Sequence, residues 1–335
     1  DPHQLLVSAV TPEAIDEAAR VLRRGGLVAF PTETVYGLGA DAQNPDALRR
    51  LYEVKGRPVT HPVIVHLAAR ASTDELLRPW APRVPAAARA LAAACWPGPL
   101  TLVLPRSRSV RTEVTGGRNT VGLRVPDQPV AQQLLDRFGG GVAAPSANRF
   151  GRVSPTTAEH VRADLGRDVD AVLDGGPCRV GVESTVVDCS TDEPVILRLG
   201  GVTRERVEAV VGAPVAVCDD GRRPAPGTLP AHYAPDADVV IVAARDVASR
   251  ARRLLDDGLQ VGLLAAAPPP DLPAAVTLLR APADVDGLAR ELYGLLREAD
   301  RRRLDVLLAV APPPAGLGAA VADRLARAAH PPERA

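Results

Sequence analysis

Three apolar, β-rich stretches, Ala171-Val172-Leu173, Ser184-Thr185-Val186-Val187-Asp188-Cys189 and Val195-Ile196-Leu197-Arg198-Leu199, follow one another with no helical pattern between them. Strands joined without a crossover helix pair antiparallel, so a sheet holding them is expected to be mixed, and a plain doubly wound fold is disfavoured. Upstream, short strands alternate with helical stretches: 26–30, 62–67, 100–104, 120–125 and 141–144 read as strands, and 45–54, 85–95, 129–138 and 157–165 as helices, with another helix at 203–211. The fold class expected is α/β, a mixed twisted sheet in a catalytic domain spanning 1–212.

From 213 to 236 the pattern breaks into Pro, Gly, Asp and Arg, including Arg222-Arg223-Pro224-Ala225-Pro226-Gly227, and reads as a linker. Beyond it, strands and helices alternate regularly through 237–335, the pattern of a small Rossmann-like parallel α/β domain. No G-x-G-x-x-G follows its first strand, so no dinucleotide site is inferred there.

The chain has 335 residues, 40 basic and 40 acidic, and four cysteines without CxxC spacing. That length suits about two domains. A formal charge of zero gives no global field for holding nucleic acid, so direct tRNA binding is expected to be weak or absent. The cysteines signal neither a zinc site nor a disulfide framework. Asp1-Pro2-His3-Gln4 carries no basic or apolar leader, and no apolar run approaches the roughly 18 residues that cross a bilayer, so a cytoplasmic location without membrane is expected.

Lys55 is the only lysine, in Lys55-Gly56-Arg57-Pro58 at a helix end, where a compact ammonium differs from the guanidinium used everywhere else. Basic residues at that position also complement the helix dipole. Thr32-Glu33-Thr34 ends an apolar strand and leads to Tyr36-Gly37-Leu38-Gly39, placing hydroxyls beside a backbone that a ligand can approach. His61 and His66 frame the next strand, and a His within a strand is commonly a satisfied structural group. Thr120 and Arg124 share a strand face by the period of two, a pair suited to a carboxylate or phosphate, or to an internal salt bridge. Ser146 and Asn148 lie two apart in a turn, Ser154 follows, and Glu183-Ser184-Thr185 with Arg198 completes the set. This inventory has no Walker loop, no Ser-His-Asp arrangement and no activated cysteine, and it points to positioning and charge rather than covalent catalysis.

The order of these motifs resembles the YrdC-like domain: Pro31-Thr32-Glu33-Thr34-Val35-Tyr36-Gly37-Leu38, Lys55-Gly56-Arg57-Pro58, His61-Pro62-Val63-Ile64-Val65-His66, Trp96-Pro97-Gly98-Pro99-Leu100-Thr101, Val121-Gly122-Leu123-Arg124-Val125-Pro126, Pro145-Ser146-Ala147-Asn148 and Ser184-Thr185-Val186-Val187-Asp188. His232-Tyr233-Ala234-Pro235 before a small α/β domain is similar to the long, two-domain threonylcarbamoyl-AMP synthases. Two stretches depart from that pattern: 225–231, where the linker usually reads Ser-Pro-Gly-Met, and Phe150-Gly151, where a Ser-Gly step is common.

The resemblance implies formation of threonylcarbamoyl-AMP and pyrophosphate from L-threonine, bicarbonate or CO2 and ATP, with Mg2+ on the phosphates and a tRNA threonylcarbamoyl-transfer machinery downstream. It implies Lys55 and Arg57 as catalytic residues. ATP would meet these two together with His61, Thr120, Ser146, Asn148, Ser154, Arg198 and Tyr233. Threonine would meet Thr34, His66, Arg124, Ala144 and Ser184, and the linker would fold over the site as a lid. The alternatives left open are an RNA-binding YrdC-like module, a carbamoyl-adenylate enzyme with another acceptor, and an inactive paralogue.

Overall fold

After β1 (Leu6–Ala9), Thr11 opens α1 (Pro12–Arg23) by accepting a hydrogen bond from the Ala14 N–H, and Pro12 takes a position where its missing N–H costs nothing. Neither element is among those expected, although Ile15, Ala18, Ala19 and Leu22 mark one buried helical face. The computed structural model describes residues 6–70, 72–218 and 233–329. The chain divides into one unit of Asp1–Phe150, Ser154–Arg179 and Glu183–Thr228 and a second of Gly151–Val153, Val180–Val182 and Leu229–Ala335.

The first unit continues through β2 (Val28–Phe30), β3 (Gly37–Asp41), α2 (Pro45–Lys55), β4 (Ile64–His66), α3 (Thr73–Leu77), α4 (Ala86–Cys95), β5 (Leu100–Pro105), α5 (Thr112–Thr115), β6 (Thr120–Arg124), α6 (Pro129–Phe138), β7 (Val142–Ala143) and α7 (Ala158–Leu165). It closes with β8 (Ala171–Asp174), β9 (Thr185–Asp188), β10 (Val195–Arg198), α8 (Arg204–Val211) and β11 (Ala216–Val217). The strands form one mixed sheet in the order β1-β8-β2-β3-β7-β4-β6-β5-β9-β10-β11.

Mixed pairing is what the three helix-free strands call for, but its source is broader. β9 and β10 do pair antiparallel, whereas β8 lies at the far side of the sheet, parallel to β1 and β2. The remaining antiparallel pairs are β2–β3, β3–β7, β4–β7 and β5–β6. The strand β3 carries no strand signal of its own, because it is Gly-Leu-Gly-Ala-Asp and poor in β-formers. Its glycines answer to packing: a Cβ on Gly39 would lie 2.8 Å from Val142 Cγ1 and 2.9 Å from Phe30 Cε1. Ala216–Val217, within the expected linker, pairs with β10 as an edge strand. Of the expected linker and lid at 213–236, residues 219–232 lie outside the described residues.

The two faces of the sheet differ in chemistry. Leu102, Leu104, Val121, Leu123, Val65, Ala143 and Val187 point to one side and pack with residues of α2, α4, α5, α7 and α8 in the main core. On the other side, α1 and α6 cover only part of the sheet, packing Ile15, Leu22, Leu134 and Leu135 against Val28, Phe30, Val142 and Leu173. That cluster stops before β4, β6 and β5, where the same face carries His66, Thr120, Gly122, Arg124 and Thr101 in register. That half-face is polar at its two ends, at Thr120 and Arg124 in the alternation of β6, while the apolar Ile64 and Val103 stand level with Gly122 between them.

The second unit holds β12 (Asp238–Ile241), α9 (Val247–Asp256), β13 (Val261–Ala265), β14 (Thr277–Arg280), α10 (Val285–Arg301), β15 (Val306–Ala309) and α11 (Leu317–Ala328). Its four strands are all parallel, in the order β12-β15-β13-β14, the small parallel architecture expected. Among the described residues no helix is long and apolar enough to cross a membrane.

The two-faced register is testable by a pair of substitutions on β6. Leu123→Ala empties a fully buried position and should lower unfolding free energy by about 3 kcal/mol. Gly122→Ala adds a methyl on the polar face at 3.4 Å from Thr101 Cγ2, an ordinary contact, and should shift stability by less than about 1 kcal/mol in urea denaturation.

Candidate functional site

Lys55 ends up at the site because α2 stops there: Gly56 takes the left-handed conformation at φ 63° and closes the helix. The Lys55 side chain is buried, and its Nζ donates to the carbonyls of Ser146 and Asn148, both at 2.5 Å. The Lys55 carbonyl in turn accepts from the Phe150 N–H at 2.8 Å. Burial, and then the neighbouring Arg57, hold the Lys55 amine well below its ordinary pKa. Arg57 donates to the carbonyls of His61 and Pro62 and lies 5.5 Å from the centre of the Phe150 ring, which His61 meets edge-on at 5.5 Å. Phe150, a departure from the family pattern, thus sits between two of the residues read as ATP contacts.

The loop after β2 is tied to the same turn by backbone bonds: Leu38 N–H to Pro145 O, Ala147 N–H to Tyr36 O, and Tyr36 N–H to Pro155 O. Two residues before Tyr36, the Thr34 hydroxyl lies 2.9 Å from that of Thr32. Ala144 closes this side, its N–H bonded to Ile64 O.

His66, Arg124 and Thr101 stand level on β4, β6 and β5, so their side chains share the polar half-face. His66 is buried, with Nδ1 3.2 Å from the Ile64 carbonyl, so Nδ1 carries the hydrogen, since a carbonyl only accepts. Desolvation, and then the Arg124 charge, push its pKa down to about 3. Thr101 Oγ1 is 2.8 Å from Ser184 Oγ, and Arg198 donates through Nε and Nη2 to Ser184 O and through Nη2 to Ser184 Oγ. Ser154 donates to Glu183 Oε1 at 2.6 Å, one residue before Ser184. Ser154 and Arg198, both expected against ATP, therefore sit beside Ser184, expected against threonine.

Thr120 lies at the opposite end of β6 from Arg124, across from Pro105 of β5. Carrying the β4–β6 register back by two residues puts it level with Pro62, whose carbonyl accepts from Arg57. Arg57, His61 and Thr120 thus mark one end of the polar half-face and His66, Arg124 and Ser184 the other, roughly 13 Å apart along the strand. Tyr233 belongs to the second unit, where its ring stacks on Tyr293 with centres 5.8 Å apart and the Arg324 guanidinium lies 5.0 Å from its centre. His232 lies outside the described residues.

Thr101, Glu33 and Glu183 fall within the motifs quoted from the sequence but are given no role there, and Cys178 reads only as one of the scattered cysteines. Thr101 alternates on β5 with Leu100, Leu102 and Leu104, a polar residue in an apolar strand, which is a legible signal. Glu33 meets Arg124 only through the fold. The cysteines are free thiols, and burial pushes Cys178 and Cys189 up to about 12, which makes both inert at ordinary pH.

The fold is an α/β domain of the YrdC-like kind, and this half-face has cations and hydroxyls of the type that suit carboxylate and phosphate groups. A family model described as "Telomere recombination" matches residues 20–200, and one described as "Threonylcarbamoyl-AMP synthase, C-terminal domain" matches residues 202–330. A threonylcarbamoyl-AMP synthase of Bacillus subtilis is 41% identical over 94% of this chain and 92% of its own length, and one of Pyrococcus abyssi 40% identical over 93% and 92%. The crystal structure of Pyrococcus abyssi Sua5 complexed with L-threonine superposes with a TM-score of 0.90 at 38% identity, covering 97% of this chain and 96% of that one. The chain belongs to the threonylcarbamoyl-AMP synthase family.

The depressed pKa of His66 has a signed consequence for stability. The native state refuses a proton that the unfolded chain accepts below pH 6.5, so stability is full above that pH and falls as pH drops toward 3. Between pH 7 and pH 5 the wild type should lose about 2 kcal/mol more than His66→Asn in urea denaturation.

Proposed function

We propose that this chain is a threonylcarbamoyl-AMP synthase that condenses L-threonine, bicarbonate or CO2 and ATP into threonylcarbamoyl-AMP and pyrophosphate. One observation supports the reading: two clusters of buried cations, Arg124 at one end of β6 and Arg57 with Lys55 near the other, would suit a carboxylate and a phosphate respectively. The curated relatives named threonylcarbamoyl-AMP synthase support the same activity.

In this mechanism the threonine amine gives up a proton and adds to CO2 as a carbamate. The new carboxylate attacks the α-phosphorus of ATP, and pyrophosphate leaves. Arg124 holds the amino-acid carboxylate, with His66, Thr34, Ala144 and Ser184 around it. Arg57 offsets charge on the triphosphate, with His61, Thr120, Ser146 and Asn148 beside it. Lys55 acts in two ways: two of its donors brace the 146–148 turn, and its charge faces the phosphates. Ser154 and Arg198 are proposed as ATP-side residues that act from the Ser184 neighbourhood, and Tyr233 as a nucleotide contact on resemblance alone.

Cationic side chains cannot ligate Mg2+, so the ion would be carried by the phosphates and water rather than by these residues. Among the described residues no group of three His, Cys, Asp or Glu side chains could hold a metal. A cytoplasmic location and delivery of the product to a tRNA-modifying machinery belong to the same proposal, because ATP and tRNA are both found there.

Purified protein should release pyrophosphate from ATP and bicarbonate when L-threonine is present and not when serine replaces it; release without threonine would point to another acceptor. Lys55→Ala should slow release about a hundredfold or more, and Lys55→Arg should not restore it, because a planar fork cannot meet both turn carbonyls as the ammonium does. A near wild-type rate in Lys55→Ala would remove the role given to this residue.

A further inference from the structure

Two buried guanidiniums serve the polar half-face, and they are held in different ways. Arg198 is fixed by hydrogen bonds to both the carbonyl and the hydroxyl of Ser184. Arg124 instead faces the carboxylate of Glu33, whose Oε1 lies 2.7 Å from Arg124 Nη2, with the Glu33 side chain 0% exposed and that of Arg124 5% exposed. Among the described residues neither Glu33 oxygen accepts a hydrogen bond, and Arg124 Nε and Nη2 donate none, so the contact is close but poorly directed. A carboxylate in that setting is costly to bury and depends on the charge of the guanidinium it faces. Both oxygens are sealed from solvent, which leaves Glu33 no means of touching a ligand except through Arg124.

We propose that Glu33 is the positioning residue of Arg124: its buried charge draws the inner edge of the guanidinium inward and turns the outer edge toward the carboxylate of the amino-acid substrate. The inference rests on the reading of Arg124 as the carboxylate receptor of a threonine-using synthase. It adds a residue that acts through Arg124 and sets how strongly the enzyme distinguishes an amino acid from an analogue without the carboxylate. Thr34, the next residue in the chain, anchors the same loop through Thr32, so the counter-charge and the loop hydroxyls move as one unit.

The test compares L-threonine with L-threonine amide as acceptors in the pyrophosphate assay, using wild type, Glu33→Gln, Glu33→Ser and Glu33→Asp, each checked for folding by thermal melting. Glu33→Gln keeps the shape and removes the charge. It should raise KM for threonine about tenfold or more, leave kcat within about threefold, and shrink the preference over the amide by the same factor as KM rises. Glu33→Asp keeps the charge on a shorter stem and should fall between the two.

A folded Glu33→Gln with wild-type KM and preference overturns the proposal. A KM that falls instead overturns it too, because Glu33 would then oppose the substrate carboxylate rather than aim its receptor. Where Glu33→Gln does not fold, Glu33→Ser decides, because it removes the charge with a smaller side chain: wild-type KM and preference in a folded Glu33→Ser rule the positioning role out. Failure of the underlying reading looks different, since the wild type itself then releases no pyrophosphate with threonine, or accepts the amide equally well.

Discussion

Holding three guanidiniums and, at the end of α2, one ammonium out of water is the constraint to which the rest of the first unit answers. Each buried ion loses solvation worth about several kcal/mol, and the fold must offset that loss locally. Lys55 is compensated by two backbone carbonyls, Arg57 by two more and by the face of Phe150, Arg198 by Ser184, and Arg124 by the Glu33 carboxylate. The face packed by α2, α4, α5, α7 and α8 is filled mainly with Leu, Val and Ala, and Lys55 is buried only at the end of α2. The sheet therefore separates its tasks by side: one face supplies stability and the other uses it to place charge.

The carbonyls that satisfy these cations come from turns, and that links chemistry to backbone geometry. The 145–150 segment presents Ser146 O and Asn148 O to Lys55 because it is bonded to the loop after β2, through Pro145 O and the Ala147 N–H. The residues read as ATP contacts and those read as threonine contacts are therefore parts of one hydrogen-bonded frame. The links of Ser154 to Glu183 and of Arg198 to Ser184 extend that frame to β9 and β10, and they blur any division of the residues into two independent pockets.

Much of the fold and of the site is legible in the amino-acid order. Helix starts announce themselves in Asn44-Pro45 and Gln128-Pro129, and the structure shows Asn44 and Gln128 accepting from the first-turn N–H groups. The isolated Lys55 in an arginine-rich chain stands out in the sequence, and the fold buries it. The parts that escape such reading have physical causes. The strand β3 is held by its neighbours rather than by propensity, with glycines that make room for Phe30 and Val142. The helix α1 is the exception: it carries ordinary cap and face signals, and the expectation that omits it has no physical excuse.

By itself, the sequence determined the local periodicities, the caps and the order of the motifs, because each depends on residues within a few positions of one another. It determined which residues of β6 are polar and that they share a face. Only the tertiary structure decided that α1 and α6 stop short of that face and that Glu33 comes to rest 2.7 Å from Arg124. It also decided that Arg198 is tied to Ser184 while Arg124 is held by charge. Burial and charge pairing depend on residues far apart in the chain, and no periodicity records which of them the completed sheet will bring together.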